Sequence, residues 1–203
     1  MGKVRTSLDE AAKQFILAQR VFFVASAPLD ANGHVNLSPK GLDTFRILSP
    51  TAVGYLDFNG SGVETIAHLK ENGRIILMFC AFQGPPNVLR LYGHGRAVEP
   101  HQDEFAVLAG EFPAYESVRS IILVELTRIT DSCGYGVPLF KYEGEREQLF
   151  AWARKKGPDG LETYRQEKNR QSIDGLPGLA QKPGAARSLW EPGNDKLRFQ
   201  ESE

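Results

Sequence analysis

The sequence has few of the residues that build disulfide frameworks and metal centres. Its 203 residues include two cysteines, Cys80 and Cys133, and four histidines. The cysteines form no Cys-x-x-Cys pair, and no histidine stands at a spacing that is typical of zinc ligands. We therefore expect two free thiols in a reducing compartment and predict no metal site.

Long hydrophobic runs and an excess of one charge are missing as well. The longest apolar stretches, such as 75–82, are much shorter than the roughly 20 residues of a membrane-spanning helix. Residues 1–20 carry alternating charges where a signal peptide has an apolar run. The formal net charge of -1 provides no field that would attract nucleic acid or an anionic membrane. We expect a cytoplasmic protein that acts on a small molecule.

Several common catalytic and nucleotide-binding signatures are also absent. There is no Gly-x-x-x-x-Gly-Lys-Ser/Thr phosphate loop and no Ser/His/Asp order of a hydrolase. Gly93-His-Gly95 lacks the third glycine of a dinucleotide fingerprint and lies in a β context. The residues alone therefore name no general acid or base.

Short stretches rich in β-branched and aromatic residues fill most of the chain and are separated by turn signals. They predict six strands, at 20–27, 34–40, 52–58, 74–82, 88–98 and 119–129. Capping boxes at Ser7–Glu10 and Ser61–Glu64 predict the starts of two helices, the second of them between the third and fourth strands. A short helix is expected at 101–110. The pattern favours a closed or sandwich-like β structure over a parallel sheet.

The composition changes near residue 141, where charged segments replace the strands. We divide the chain into a barrel domain at 1–140 and a C-terminal helical extension and tail at 141–203. Helices are expected at 143–156 and 159–171. The tail beyond them either packs on the barrel or is a poorly ordered linker. Leu176 and Leu179 are apolar anchors that favour the ordered alternative.

Three segments place polar residues where a ligand can be bound. Lys40 ends a strand beside Pro39 and Gly41, although a solvated turn lysine is the commoner case. The Gly60–Gly62 segment opens a helix, where free amides and the helix dipole favour a phosphate, although a capping box at the same place needs no ligand. Arg90 has apolar neighbours in its strand and needs an anion, which a protein carboxylate supplies as well as a phosphate does.

The order of the segments carries more information than any one of them. The succession of Asn36–Gly41, Tyr55–Phe58, Gly60–Leu69, Asn72–Phe79 and Leu89–Gly93 resembles the pyridoxamine 5′-phosphate oxidase-like family. The resemblance covers about residues 5–130. Lys168–Gly178 looks like a further mark of one subgroup.

This resemblance implies a mainly β fold, namely an FMN-binding split β-barrel with peripheral helices and a C-terminal extension. It also implies FMN as cofactor and a homodimer with the flavins at the subunit interface. By analogy, Ser38 and Lys40 face the isoalloxazine ring, and Arg90 reaches the phosphate or the ring. The other predicted contacts lie at the phosphate end (Ser61, Gly62 and Thr65) and in a tail that closes the site (Lys168, Asn169 and Ser172).

Two departures from the family pattern bear on the reaction. The oxidases carry an Arg-Lys pair near the helix start, where this sequence has Gly62-Val-Glu-Thr65, and their C-terminal signature has no counterpart in Asp195–Gln200. The sequence therefore favours an FMN-dependent oxidoreductase whose substrate is unassigned. The alternatives are a non-catalytic flavin- or haem-binding protein and a true pyridoxamine 5′-phosphate oxidase, which the missing C-terminal signature disfavours; the missing Arg-Lys pair concerns the usual ligands of the phosphate.

Overall fold

The computed structural model describes residues 4–180, and the eight β-strands in this range form one antiparallel sheet. The strands are β1 (Val4–Arg5), β2 (Phe22–Ser26), β3 (Asn36–Lys40), β4 (Phe45–Ser49), β5 (Ala52–Phe58), β6 (Arg74–Cys80), β7 (Val88–Val98) and β8 (Val118–Ser132). Their order across the sheet is β3-β2-β6-β7-β8-β5-β4, and β1 pairs with β8.

The sheet curls until strands from its two ends meet. The Phe22 ring on β2 lies 5.3 Å from the Phe45 ring on β4 and 5.6 Å from the Tyr55 ring on β5, measured between centroids. Neither β4 nor β5 is hydrogen-bonded to β2, so these contacts cross the interior of the barrel. The fold is a split β-barrel, as the sequence predicted.

Four helices lie in the described part of the chain: α1 (Glu10–Leu17), α2 (Glu64–Asn72), α3 (Asp103–Ala109) and α4 (Gln148–Lys168). Helix α2 connects β5 to β6 and buries Ile66, Ala67 and Leu69. It packs closely on β7 because Gly95 has no side chain. A Cβ atom at that position would lie 3.0 Å from Leu69 Cδ2.

The strand predictions agree with the structure except at two places. The 52–58 and 88–98 strands have the predicted bounds, and the other four predicted strands are present with small shifts at their ends. Strands β1 and β4 were not predicted. All five residues of β4 are half-buried, so the strand lacks the alternation of buried and exposed residues that identifies a strand in a sequence.

Both predicted capping boxes are wrong. Asp9 caps α1, and its carboxylate accepts a hydrogen bond from the Ala12 amide at 2.8 Å. Helix α2 follows Val63 and has no side-chain cap. The two helices predicted at 143–156 and 159–171 are present, with shorter ends, as the two halves of α4 (Gln148–Lys168), which are separated at Gly157 by a non-helical φ of 66° just before Pro158.

Candidate functional site

A cavity of about 450 Å³ opens between β3, the end of β5 and the start of α2. This volume lies within the range of about 300–1,000 Å³ that is usual for small-molecule sites. Five predicted site residues line it, namely Ser38, Lys40, Ser61, Gly62 and Thr65. The structure thus brings together residues that are up to 27 positions apart, and their role in binding a cofactor remains a prediction.

The register of β3 directs two of these side chains toward the barrel interior. Ser38 pairs with Val24, and Lys40 pairs with Phe22. Residues that pair across an antiparallel ladder point to the same face of the sheet. Val24 and Phe22 belong to the buried core, so Ser38 and Lys40 project from that same face, at the barrel end.

Two cations meet one buried carboxylate at the wall of the cavity. Asp57 is fully buried, its Oδ1 lies 2.9 Å from Lys40 Nζ, and its Oδ2 lies 2.7 Å from Arg119 Nε. Burial by itself raises the pKa of the Asp57 carboxyl, but Arg119 and Lys40 together lower it to about 2. The carboxylate is therefore ionised, and the three groups carry a net positive charge beside the cavity.

The sequence analysis did not assign a role to Asp57 or Arg119. Arg119 lies on β8 and is only 5% exposed, and one of its nitrogens also donates to the Gly60 carbonyl at 3.2 Å. An arginine directly before the apolar run 121–124 was the available signal, because a buried guanidinium needs an anionic partner. The partner, Asp57, is 62 residues away in the chain.

A polar network joins β3 to the first turn of α2. The Asn36 side-chain amide donates to the Thr65 hydroxyl at 2.9 Å, and the Ser38 hydroxyl donates to the Asn36 carbonyl oxygen at 3.1 Å. Asn36 was not among the predicted site residues. Its side-chain amide holds the two predicted hydroxyl groups, Ser38 and Thr65, at the lining of the cavity.

The start of α2 is open apart from one carboxylate. No side chain caps the helix, and a Cβ atom on Gly60 would meet no other group within 4 Å. The Glu64 carboxylate instead lies against Gly62 and accepts a hydrogen bond from the Ile173 amide at 3.3 Å. Free amides at a helix start favour an anion, whereas the Glu64 carboxylate opposes one.

The C-terminal segment after α4 packs directly behind the cavity. Asn169 is fully buried, and its side-chain amide donates to the Gly60 carbonyl at 2.8 Å. Its Oδ1 atom has no hydrogen-bond partner among residues 4–180. The Ser172 hydroxyl accepts a hydrogen bond from the Leu176 amide, so its contact is within the C-terminal segment. Lys168 is exposed at the end of α4.

Further contacts fix the same segment, here called the tail segment (169–180), to the barrel. Asp174 Oδ1 lies 2.6 Å from His34 Nδ1, and hydrogen bonds from the side chain and amide of His34 lower the Asp174 pKa. Lys70 donates to the Gly178 carbonyl and to Glu99. Leu179 is buried in the main core. The ordered alternative is therefore correct for 169–180, and the rest of the predicted tail lies outside the described residues.

Arg90 lies on the other face of the sheet. It pairs with Met78 in the register of β6 and β7, and Met78 in turn pairs with Phe23, so all three point away from the face that carries Lys40. Arg90 was expected to be buried or to lie at an interface; in the single chain it is partly exposed and donates to the Ser132 hydroxyl at 3.0 Å, and its place at an interface stays a prediction. Within one chain it does not line the cavity.

Comparison with known proteins identifies the family. Residues 8–133 match the family model described as pyridoxamine 5′-phosphate oxidase. The chain is 37% identical over 190 residues to the pyridoxamine 5′-phosphate oxidase family protein ustO of Aspergillus flavus. The alignment covers 85% of this chain and 76% of that protein. The chain therefore belongs to the pyridoxamine 5′-phosphate oxidase family.

Solved structures with the same kind of fold are more distant. HupZ of Group A Streptococcus is 18% identical, has a TM-score of 0.49, and its alignment covers 62% of this chain and 94% of that one. An FMN-binding protein from Syntrophomonas wolfei is 17% identical, has a TM-score of 0.43, and its alignment covers 65% and 87% of the two chains.

Two other features of the described residues bear on the earlier expectations. Cys80 is buried and Cys133 is exposed, and both are free thiols, as predicted. None of the helices between residues 4 and 180 has the length and apolar character needed to cross a membrane.

Proposed function

We propose that the chain is an FMN-dependent oxidoreductase and that the cavity beside Lys40 and Asp57 binds the flavin. The observation that carries the proposal is the excess positive charge of Lys40 and Arg119 over Asp57 next to the uncapped start of α2. A fixed cation and free helix amides together favour a ligand that bears negative charge. The membership of a flavin-associated family supports the same ligand.

The lining residues suit the two ends of FMN differently. Ser61, Gly62 and Thr65 lie at the helix start, where a phosphate accepts hydrogen bonds from backbone amides and hydroxyl groups. Ser38 and Lys40 lie on β3, toward the position proposed for the ring. FMN supplies the electron transfer when bound. The ammonium of Lys40, which Asp57 holds in place, stabilises negative charge on the ligand at that position.

The outer face of β3, β2, β6 and β7 supports the proposal of a homodimer. Leu37 pairs with Ala25, and the row continues through Ile76 to Tyr92, so these side chains share one face. Leu37 is 64% exposed in the single chain. Arg90 lies in the same face, and a second copy packed there would bring it to an interface. We propose that this face joins the two subunits.

We also propose a cytoplasmic location, because a buried and an exposed cysteine both remain free thiols. The missing C-terminal oxidase signature concerns Asp195–Gln200, which lie outside the described residues. The absence of the Arg-Lys pair is visible in the structure, since Val63 and Glu64 stand at the helix start. The usual side-chain ligands of the phosphate are therefore replaced at this position, and the proposal of a substrate other than a vitamin B6 phosphate rests on the missing C-terminal signature.

Titration of the purified chain with FMN, FAD and riboflavin, followed by flavin fluorescence, tests the proposal. We expect FMN to bind more tightly than riboflavin, which lacks the phosphate. No quenching at micromolar FMN would refute the flavin site. If FMN binds but is not reduced by NADH or NADPH and does not pass electrons to an added acceptor, the chain is a flavin-binding protein without turnover. A Soret band in the purified chain would favour haem instead.

A further inference from the structure

A second and larger cavity, here called the strap cavity, lies next to the proposed flavin site. Its volume is about 1140 Å³. Its walls are the end of α1, the connection from β3 to β4, the loop at 82–84 and the segment 140–149 that runs up to α4. Residues 39–42 and Leu149 line both cavities, so the two share a wall. A ligand in the strap cavity would lie beside whatever occupies the first cavity.

The strap cavity has an aromatic and aliphatic wall. The rings of Phe82 and Phe140 lie 5.3 Å apart, and the Phe140 amide donates to the Phe82 carbonyl at 2.9 Å. Val21 and Leu42 add aliphatic surface. Leu42 has a φ of 63°, a left-handed conformation that costs energy for a residue with a side chain and that concentrates at ligand sites. The wall therefore suits a flat apolar group.

The charged groups around the strap cavity are mostly basic. Arg20, Lys40, Lys141 and Arg146 line it, against a single acidic lining residue, Glu145, among the residues that the structure describes. Glu145 accepts a hydrogen bond from the Tyr142 hydroxyl at 2.7 Å.

The basic groups differ in how they are held. Lys40 is paired with Asp57, and the Arg20 guanidinium lies 5.3 Å from the centroid of the Tyr142 ring. No carboxylate between residues 4 and 180 forms an ion pair with Arg20, Lys141 or Arg146. An anionic group on a ligand would provide the missing counter-charge.

We propose that the strap cavity is the substrate site and that it takes an aromatic molecule bearing one negative charge, such as an aromatic carboxylate. The position beside the flavin rests on the proposed function, whereas the preference for an aromatic anion rests on the cavity alone. The whole segment 140–149 lies beyond the residues that match the family model, 8–133. The cavity is therefore built in part by the extension and not by the family's shared barrel.

The test is calorimetric titration of the full chain without added flavin, using 2-naphthoate and its neutral analogue 2-naphthamide. The carboxylate of naphthoate should interact favourably with the basic groups, but interactions with exposed cations are modest. We therefore expect naphthoate to bind at least about threefold more tightly than naphthamide. The double variant R20Q/R146Q should remove that difference. Arg154 is exposed on α4 and lines neither cavity, so R154Q is the matched control and should retain it.

A second pair of variants locates the binding. Ala18 lines the strap cavity and not the flavin cavity, so A18W should fill it and abolish naphthoate binding. Ala11 is exposed on the same helix and lines neither, so A11W should bind as the wild type does. Equal affinities for naphthoate and naphthamide would overturn the proposal, and so would unchanged naphthoate binding by A18W.

The position beside the flavin has its own readout. Naphthoate added to the FMN-loaded chain should shift the visible absorption of the flavin, and A18W should abolish the shift while it keeps FMN affinity. An unchanged spectrum in the wild type would overturn the adjacency. If the chain binds no FMN, the proposed function fails, and the naphthoate titrations still decide whether the strap cavity takes an aromatic anion.

Discussion

Arg119 Nε lies 2.7 Å from Asp57 Oδ2 in a salt bridge that connects β8 to β5 and has almost no contact with solvent. Lys40 completes the arrangement from β3, at the far end of the sheet order. Strands β5 and β8 are already paired by backbone hydrogen bonds, so what the buried carboxylate adds is a link from this pair to β3, which the sheet leaves separate from them. Its removal should affect stability and the cavity at once.

Substitution of Asp57 by asparagine should destabilise the barrel strongly. The change leaves Arg119 and Lys40 without their counter-charge, and loss of one partner of a buried pair costs about 3–5 kcal/mol. Urea denaturation followed by circular dichroism measures the loss. The control is D43N, since Asp43 forms an exposed pair with Arg46 and should contribute about 1 kcal/mol or less. Equal losses in the two variants would contradict this prediction.

The same carboxylate should make stability fall in acid. The Asp57 pKa is lowered in the folded state from 3.8 to about 2. The stabilisation is therefore complete above about pH 4 and is lost as the pH falls toward 2, with a magnitude of about 2 kcal/mol. Urea midpoints measured between pH 6 and pH 2 test this. K40M removes one of the two cations, so the folded-state pKa of Asp57 should rise toward its unfolded value, and the loss of stability in acid should be smaller and should end at a higher pH. An unchanged profile in K40M would show that Lys40 does not lower the Asp57 pKa.

Substitution of Glu64 by glutamine should strengthen binding of FMN but not of riboflavin. The Glu64 carboxylate lies against Gly62 at the proposed phosphate end, where it repels a second anion. Because the Glu64 carboxylate is partly exposed, its repulsion of the phosphate is modest, and its removal should raise the affinity for FMN roughly two- to fivefold. E71Q, at the other end of the same helix, is the control. Equal improvement for riboflavin would place the phosphate elsewhere.

Substitution of Gly178 by alanine should release the tail segment. A Cβ atom there would press on the Asn169 carbonyl and lie 2.9 Å from Val63 Cγ1, and overpacking of this kind costs about 1–3 kcal/mol. Trypsin should then cleave faster after Lys168 and Arg170. Gly136 has open space around it and a negative φ, so G136A should behave as the wild type does. A G178A variant that resists trypsin normally would show that the segment accommodates the methyl group.

The elements with strong local signals were predictable, and the long-range partners were not. Strand β5 was found with its bounds because it contains Val53, Tyr55 and Phe58, which favour strands, and because a Gly-rich turn follows it. The cap of α1 was assigned to Ser7 instead of Asp9, because both residue types cap helices and only the geometry chooses between them. A helix cap depends on residues that are close in the chain, so the error in the predicted cap position was small.

The candidate site shows where such reasoning ends. Ser38, Lys40 and Thr65 were named from the family resemblance, and the structure places them in one cavity. Arg119 was missed because its partner is distant in the sequence and its importance lies in that pairing. Arg90 was expected to be buried or to lie at an interface because its strand neighbours are apolar, but strand residues alternate in direction, and in the single chain this one points outward and is partly exposed.

The tail segment also constrains the order of events during synthesis of the chain. Asn169 supports Gly60 from behind, and Gly178 packs against Val63 at the start of α2. The strands of the barrel leave the ribosome before this segment does, because residues 4–132 contain all of the described strands. The barrel can close early, but the rear support of the cavity arrives only when the last helix and the loop after it have emerged. A ligand that depends on that support can therefore be captured only after the tail segment has emerged as well.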